Sequence, residues 1–158
     1  MTGKKQSSGS NTIAFNRKAR YEYAIEEEFE AGIVLTGSEV KSLRQGKANI
    51  NDAYAGEDKG EIWLYNAHIS EYASANRFNH EPNRPRKLLL HSKQVKKIIG
   101  RLKVKGVTLV PLSLYFSGRG LVKCKLGLGQ GKKTYEKRET IKKRDWQRDK
   151  ARIIREKK

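Results

Sequence analysis

One cysteine, three prolines and one methionine occur among the 158 residues, and no apolar run approaches the roughly 18 residues of a membrane-spanning helix. The lone Cys124 excludes an internal disulfide and deprives a zinc site of thiolate ligands. The stretch from Met1 to Ser10 is polar and lacks the apolar centre of a secretory signal, so a cytoplasmic protein is expected. Acids are scarce beside bases: 17 Asp and Glu stand against 35 Lys and Arg, a formal charge of +18. That surplus asks for a polyanionic partner, and nucleic acid fits it better than a membrane surface or an acidic protein.

A chain of this length with 36% hydrophobic residues can build one core and is too short for two ordinary domains. Residues 1–11 have nothing to bury and are expected to be mobile. Tyr21, Tyr23, Ile25 and Phe29 are spaced for one strand face, with Glu22, Glu26, Glu28 and Glu30 on the other. Thr36 to Glu39 reads as a capping box that opens a short helix, with Val40 and Leu43 inward, Lys41 and Arg44 outward and Gly46 at its end. Strands are expected near 50–54 and 62–70, joined through Gly56 to Gly60. Residues 74–87, with Pro82, Pro85 and three arginines, read as a loop. A helix from about Lys93 to Lys105, capped by Ser92, buries Val95, Ile98, Ile99 and Leu102 and shows a basic opposite face.

Two strands, 107–116 and 121–128, flank a turn at Ser117 to Gly120. In the second, Val122, Cys124, Leu126 and Leu128 alternate with Lys123 and Lys125, so one side packs while the other presents cations. Gly127, Gly129 and Gly131 read as the strand exit. Residues 132–158 then hold 13 Lys and Arg against 5 acids. Their apolar residues form no continuous stripe, so the segment is expected to be disordered alone and helical, from about Glu139, on a partner. The sum is a mostly β chain: an OB-fold-like antiparallel barrel over residues 12–131, decorated by short helices, with a flexible basic C-terminal tail over 132–158.

Little in the sequence points to covalent chemistry. His68, His80 and His91 match no metal-ligand spacing. The glycines near 127–131 lack the Gly-Lys-Ser or Gly-Lys-Thr ending of a phosphate loop. The acids between Glu26 and Glu30 could pair around magnesium in a nuclease, but they also suit a solvated strand edge that repels strand addition. A single carboxylate such as Glu30 could instead accept from the Watson–Crick edge of an unpaired guanine. The strongest signal is the set of cations at Lys41, Arg44, Lys47, Lys123 and Lys125, placed for phosphate contacts. A binding protein with neither catalytic residues, metal nor cofactor is expected.

Four segments in order carry a resemblance: Asn16 to Arg20, Glu30 to Arg44, Asn79 to Leu90 and Gly131 to Arg138. From about Ile13 onward the chain resembles the small protein B family, the SsrA-binding proteins of bacterial trans-translation. The resemblance implies an OB-like barrel that binds the tRNA-like part of transfer-messenger RNA (tmRNA, SsrA RNA) at its elbow, in place of the missing anticodon arm. It implies RNA contacts at Asn16, Arg20, Glu30, Lys41, Arg44, Leu90, Lys123 and Lys125, with Lys47, Arg86 and Lys87 as neighbours. The tail would contact a stalled ribosome and its small-subunit RNA through Lys132, Lys133, Tyr135, Lys137 and Arg138, near the decoding centre and in the empty mRNA channel. Trp146, Ile153 and Ile154 would lie in the tail helix. Tyr135 stands where many relatives have His, so it can stack but supplies no ring that titrates near neutrality. Elongation factor Tu is implied in the delivery complex; DNA and membrane are not. A structural ribosomal protein with a threaded basic arm is the alternative, separable by its stoichiometry on unstalled ribosomes.

Overall fold

A computed structural model describes residues 11–73, 79–132 and 134–156, with side chains in the last span described at 138 and 141–152. The predicted hairpin is its longest local feature. Strand β8 (Val107–Phe116) turns through Ser117 to Gly120 into β9 (Val122–Gly131), and Gly120 takes the positive φ of 78° that the turn needs. Before it in sequence come β1 (Thr12–Phe15), β2 (Tyr23–Ile33), β3 (Ala48–Asn49), β4 (Tyr54–Asp58), β5 (Glu61–Tyr65), β6 (His68–Ile69) and β7 (Arg86–Leu89). The helices are α1 (Ala19–Glu22), α2 (Gly37–Arg44), α3 (Ser92–Leu102) and α4 (Thr134–Glu156).

Antiparallel pairing runs β8, β4, β5, β7, β2, β9, and β9 pairs with β8 again, so the sheet closes on itself. Closure removes the exposed edges of an open sheet, as expected for a barrel. The other edge of β8 is shared: β4 meets it at Leu109, and β1 meets it from Ser113 to Tyr115. β3 and β6 form a separate two-stranded ladder.

Alternation fills the interior. Val122, Cys124, Leu126 and Leu128 of β9 are all buried, as are Leu109 and Leu114 of β8, Ile62 and Leu64 of β5 and Leu88 of β7. Each large aliphatic side chain removed from water contributes about 1.5–3 kcal/mol before entropy is counted. Ile98 of α3 and Leu43 of α2 join this core.

Several expectations require correction. Tyr23, Ile25 and Phe29 do not share one face, because a bulge between Ile25 and Glu27 shifts the register. Phe29 enters the barrel core, whereas Ile25 and Tyr23 pack with Ala19, Val110 and Leu112 in a second, smaller cluster. Tyr21 lies in α1 rather than a strand. The β4–β5 hairpin runs through the expected turn region and bends at Lys59 and Gly60, both with positive φ as a two-residue type I′ turn requires. Gly127, Gly129 and Gly131 lie within β9 rather than beyond it. At Gly129 a Cβ would meet the Ala24 carbonyl oxygen at 2.1 Å, so β2 approaches β9 there as only glycine allows. Helix α3 starts at Ser92, with His91 as its N-cap. Within the expected loop 74–87, Arg86 and Lys87 begin β7, and residues 74–78 lie outside the described residues.

Candidate RNA interface

The interface is a product of strand register. Cross-strand partners point to the same side, and Phe15, Ser113, Lys125 and Glu30 are successive partners across β1, β8, β9 and β2. The next outward row holds Tyr115, Lys123, Gly32 and Leu89 across β8, β9, β2 and β7. Between them runs an inward row of Ala14, Leu114, Cys124 and Ala31. Burial pushes the Cys124 thiol up to about 12, which makes it a packing group and a poor nucleophile.

A groove of about 970 Å³ lies over the first row, lined among others by Phe15, Asn16, Arg20, Glu30, Tyr115 and Lys125. Four predicted contacts, Asn16, Arg20, Glu30 and Lys125, therefore share one concavity. Arg20 donates from Nη2 to Glu28 at 2.6 Å, and the Lys125 ammonium lies 3.5 Å from the same carboxylate. The Arg20 hydrogen bond is the largest influence on Glu28 and holds its pKa below the usual carboxylate value. The Tyr115 hydroxyl donates to Glu30. Burial, then this bond, raises the Tyr115 pKa, so the phenol remains a donor. Asn16 is committed within the fold: its Nδ2 donates to the Pro111 carbonyl at 3.0 Å, and its Oδ1 accepts from the Lys18 amide at 3.2 Å. It fixes the bend between β1 and α1.

The other expected contacts are dispersed. Lys41 and Arg44 are exposed on α2, Lys47 follows it, and the Lys41 ammonium lies 5.6 Å from the Tyr72 ring centre. Lys87 pairs with Glu61 at 2.6 Å on the outside of the barrel. Leu90 is half-buried, packs against the core and lines a separate groove between β7 and α3 with Val95 and Ile99. Its neighbour Leu89, 50% exposed, occupies the outward row instead.

Arg86 is a correction: its side chain is fully buried and cannot reach a ligand on the surface. Its Nε donates to Glu39 at 2.6 Å, Nη1 to the Ala67 carbonyl at 2.7 Å and Nη2 to the Pro82 carbonyl at 3.0 Å. Arg84 adds a two-pronged pair to the same carboxylate, at 2.9 and 2.7 Å. Burial alone would raise the Glu39 pKa, but Arg84, the Thr36 amide and Arg86 together hold it below the usual value. The expected capping box of α2 is thus present, and its Glu39 also anchors β7.

In the tail, α4 spans 23 residues and begins five before Glu139. Lys132 leads into it, its amide bonded to the Glu22 carbonyl and its ammonium to the Arg20 carbonyl, each at 2.8 Å. Arg138 and Trp146 are exposed, and Lys150 lies 5.2 Å from the Trp146 ring centre. Arg144 reaches the rim of the large groove. Lys133 lies outside the described residues, as do the side chains of Tyr135, Lys137, Ile153 and Ile154.

Among the described residues no group of three or more His, Cys, Asp or Glu is placed to hold a metal, and no helix is long and apolar enough to cross a membrane. The acids from Glu26 to Glu30 are divided by the β2 bulge. Glu26 pairs with Arg101 and Glu27 with Lys97, both on α3, while Glu28 and Glu30 face the groove side. His80 is structural: its Nε2 donates to the Ile69 carbonyl at 2.9 Å, which leaves Nδ1 to accept from Ser38 at 2.8 Å. Sequence reading missed Phe15, Tyr115 and Leu89, which only the pairing of distant strands brings to this face.

Known proteins are similar to this chain over most of its length. The SsrA-binding protein of Rickettsia canadensis (strain McKiel) is 62% identical over 145 residues, covering 92% of this chain and 95% of its own. That of Wolbachia pipientis subsp. Culex pipiens (strain wPip) is 61% identical over 141 residues, covering 89% and 95%. A solved structure described as "tmRNA-SmpB: a journey to the center of the bacterial ribosome" contains a chain with 47% identity and a TM-score of 0.64, covering 76% of this chain and 84% of that one. The family model described as "SmpB protein" matches residues 13–156, which takes in the tail helix and all of the barrel and groove beyond Thr12, and the chain belongs to the SmpB protein family.

Proposed function

We propose that this protein is an RNA-binding adaptor for ribosome rescue, and that its barrel binds the tRNA-like part of tmRNA through the outward rows of β8, β9 and β2. The relatives are named for SsrA binding, and the solved relative is a tmRNA-SmpB structure of the bacterial ribosome. The observation that carries the reading is the joining of Arg20, Lys125 and Glu30 in one groove, beside Lys123. Cations there neutralise phosphates, and a carboxylate among them reads base edges rather than backbone. Asn16 supports the groove, Lys41, Arg44, Lys47 and Lys87 meet phosphates away from it, and Leu90 gives an apolar contact at the separate groove beside α3.

The tail, residues 132–158, acts on the ribosome as a separate part. Lys132, Lys133, Tyr135, Lys137 and Arg138 meet the decoding region and its small-subunit RNA, while the helix carrying Trp146, Ile153 and Ile154 enters the vacant mRNA channel. Delivery to the A site involves elongation factor Tu, in the cytoplasm. The role is positioning, with no covalent step. The test is removal of residues 132–158, measuring tmRNA affinity and peptide tagging in parallel. Affinity should stay within a few-fold while tagging is lost. Collapse of affinity with unchanged tagging per bound RNA would reverse the division of labour.

A further inference from the structure

One part of the barrel reverses the charge of the rest. Between residues 51 and 65 four acids stand against Lys59 alone, a net −3 in a chain at +18. That stretch carries the β4–β5 hairpin, whose inward side gives Ala55, Ile62 and Leu64 to the core. Its outward side is a ladder of three cross-strand pairs: Tyr54 with Tyr65, Gly56 with Trp63, and Asp58 with Glu61. Neither strand contributes to the lining of the large groove.

The upper two pairs form an aromatic surface. Tyr54 is 51% exposed and stacks on Tyr65 with ring centres 5.4 Å apart. Gly56 gives Trp63 no opposing side chain, and the Tyr65 ring leans into that space, 3.7 Å from where a Cβ on Gly56 would stand. The third pair is acidic. Asp58 and Glu61 face each other, and like charges directly opposite destabilise a hairpin. Lys87 relieves Glu61 at 2.6 Å, whereas Asp58 has no ion pair among the described residues. Burial and then the Asp58 carboxylate raise the Tyr65 pKa, so this charge is felt at the rings.

Aromatic faces beside an uncompensated carboxylate attract a cation and repel phosphate. Guanidinium suits them better than ammonium, because it lies flat on a ring while still donating to a carboxylate. The ladder also has a repeat: successive outward pairs are about 6.8 Å apart, the interval at which alternate side chains of an extended peptide recur.

We propose that the outer face of the β4–β5 hairpin docks an extended, arginine-rich segment of another protein, with guanidinium groups laid on Tyr54 and Trp63 and paired with Asp58. A second copy of the chain would bring the same acids and be repelled. The chain's own cationic tail is directed elsewhere, since Arg144 of α4 reaches the rim of the large groove. The two surfaces are separate, so RNA and a basic protein can be held together.

The probe is a fluorescein-labelled twelve-residue peptide of alternating arginine and glycine, titrated into the full chain at low salt and followed by anisotropy. A chain at +18 repels such a peptide except at a local acidic surface, so saturable binding is the first expected result. The lysine–glycine counterpart should bind about fivefold more weakly, the scale of one guanidinium–ring contact. Tyr54→Ala and Asp58→Asn, both at exposed positions, should each weaken the arginine peptide about fivefold and leave affinity for the tRNA-like part of tmRNA unchanged. Absence of saturable binding, or equal binding by the parent and both variants, would overturn the proposal. Weaker binding of labelled oligouridine to Tyr54→Ala would assign the rings to RNA instead. A photocrosslinking amino acid at position 54 that joins to residues 134–156 of its own chain would make the tail the occupant, and either result also overturns docking of another protein.

Discussion

Glu39 shows how much one side chain can hold. It accepts from the Thr36 amide, which caps α2, and from Arg84 and Arg86, which secure the start of β7 and the segment before it. Removing one member of a buried ion pair leaves the other charged and uncompensated, so Glu39→Gln should lower stability by about 3–5 kcal/mol, read from urea unfolding. Its folded pKa lies below the ordinary carboxylate value that holds in the unfolded chain. The carboxylate therefore contributes fully above that value, and the contribution is lost as pH falls through the lower, folded one. The wild type should lose stability on acidification in that window, and Glu39→Gln should show a flatter acid limb. The capping role was legible from Thr36 and Glu39, three residues apart. The pair with Arg86 was not, because 47 residues separate the partners and nothing local distinguishes a buried arginine from a surface one.

Strands repeat the lesson at longer range. The β8–β9 hairpin was legible because its signals are local: strict alternation, then two glycines in a four-residue turn. The bulges in β1, β2 and β8 were not, since one inserted residue changes the parity of a strand without changing its composition. The β2 bulge requires Gly129 opposite it, where a side chain would collide with backbone rather than with a movable neighbour. Gly129→Ala should force β2 and β9 apart and cost about 3 kcal/mol, visible as a lowered midpoint in urea. Gly131→Ala, with open space around its Cβ, should change the midpoint little. The site followed the same rule: Lys123 and Lys125 could be read from the alternation of their own strand, whereas Phe15 joins them only through the register of β1 on β8.

Across the whole molecule, charge and topology act together. With +18 spread over the barrel and the tail, affinity for RNA should fall steeply with salt. Lys125→Ala should reduce the slope of log affinity against log salt by about one, while Glu30→Ala should leave that slope unchanged, because a carboxylate neutralises no phosphate and releases no counterion from one. Equal changes in slope for the two variants would contradict the separate roles given to them. The closed circuit of strands also sets a condition on when this surface exists. β9 is the last strand in the chain order of the described residues, yet it pairs with both β2 and β8 and supplies the middle of each outward row. A nascent chain can build the β4–β5 hairpin and α3 early, but it has no RNA-binding face until residue 131 has left the exit tunnel. Synthesis itself thus delays the basic barrel's recognition of RNA until its last strand, β9, has emerged.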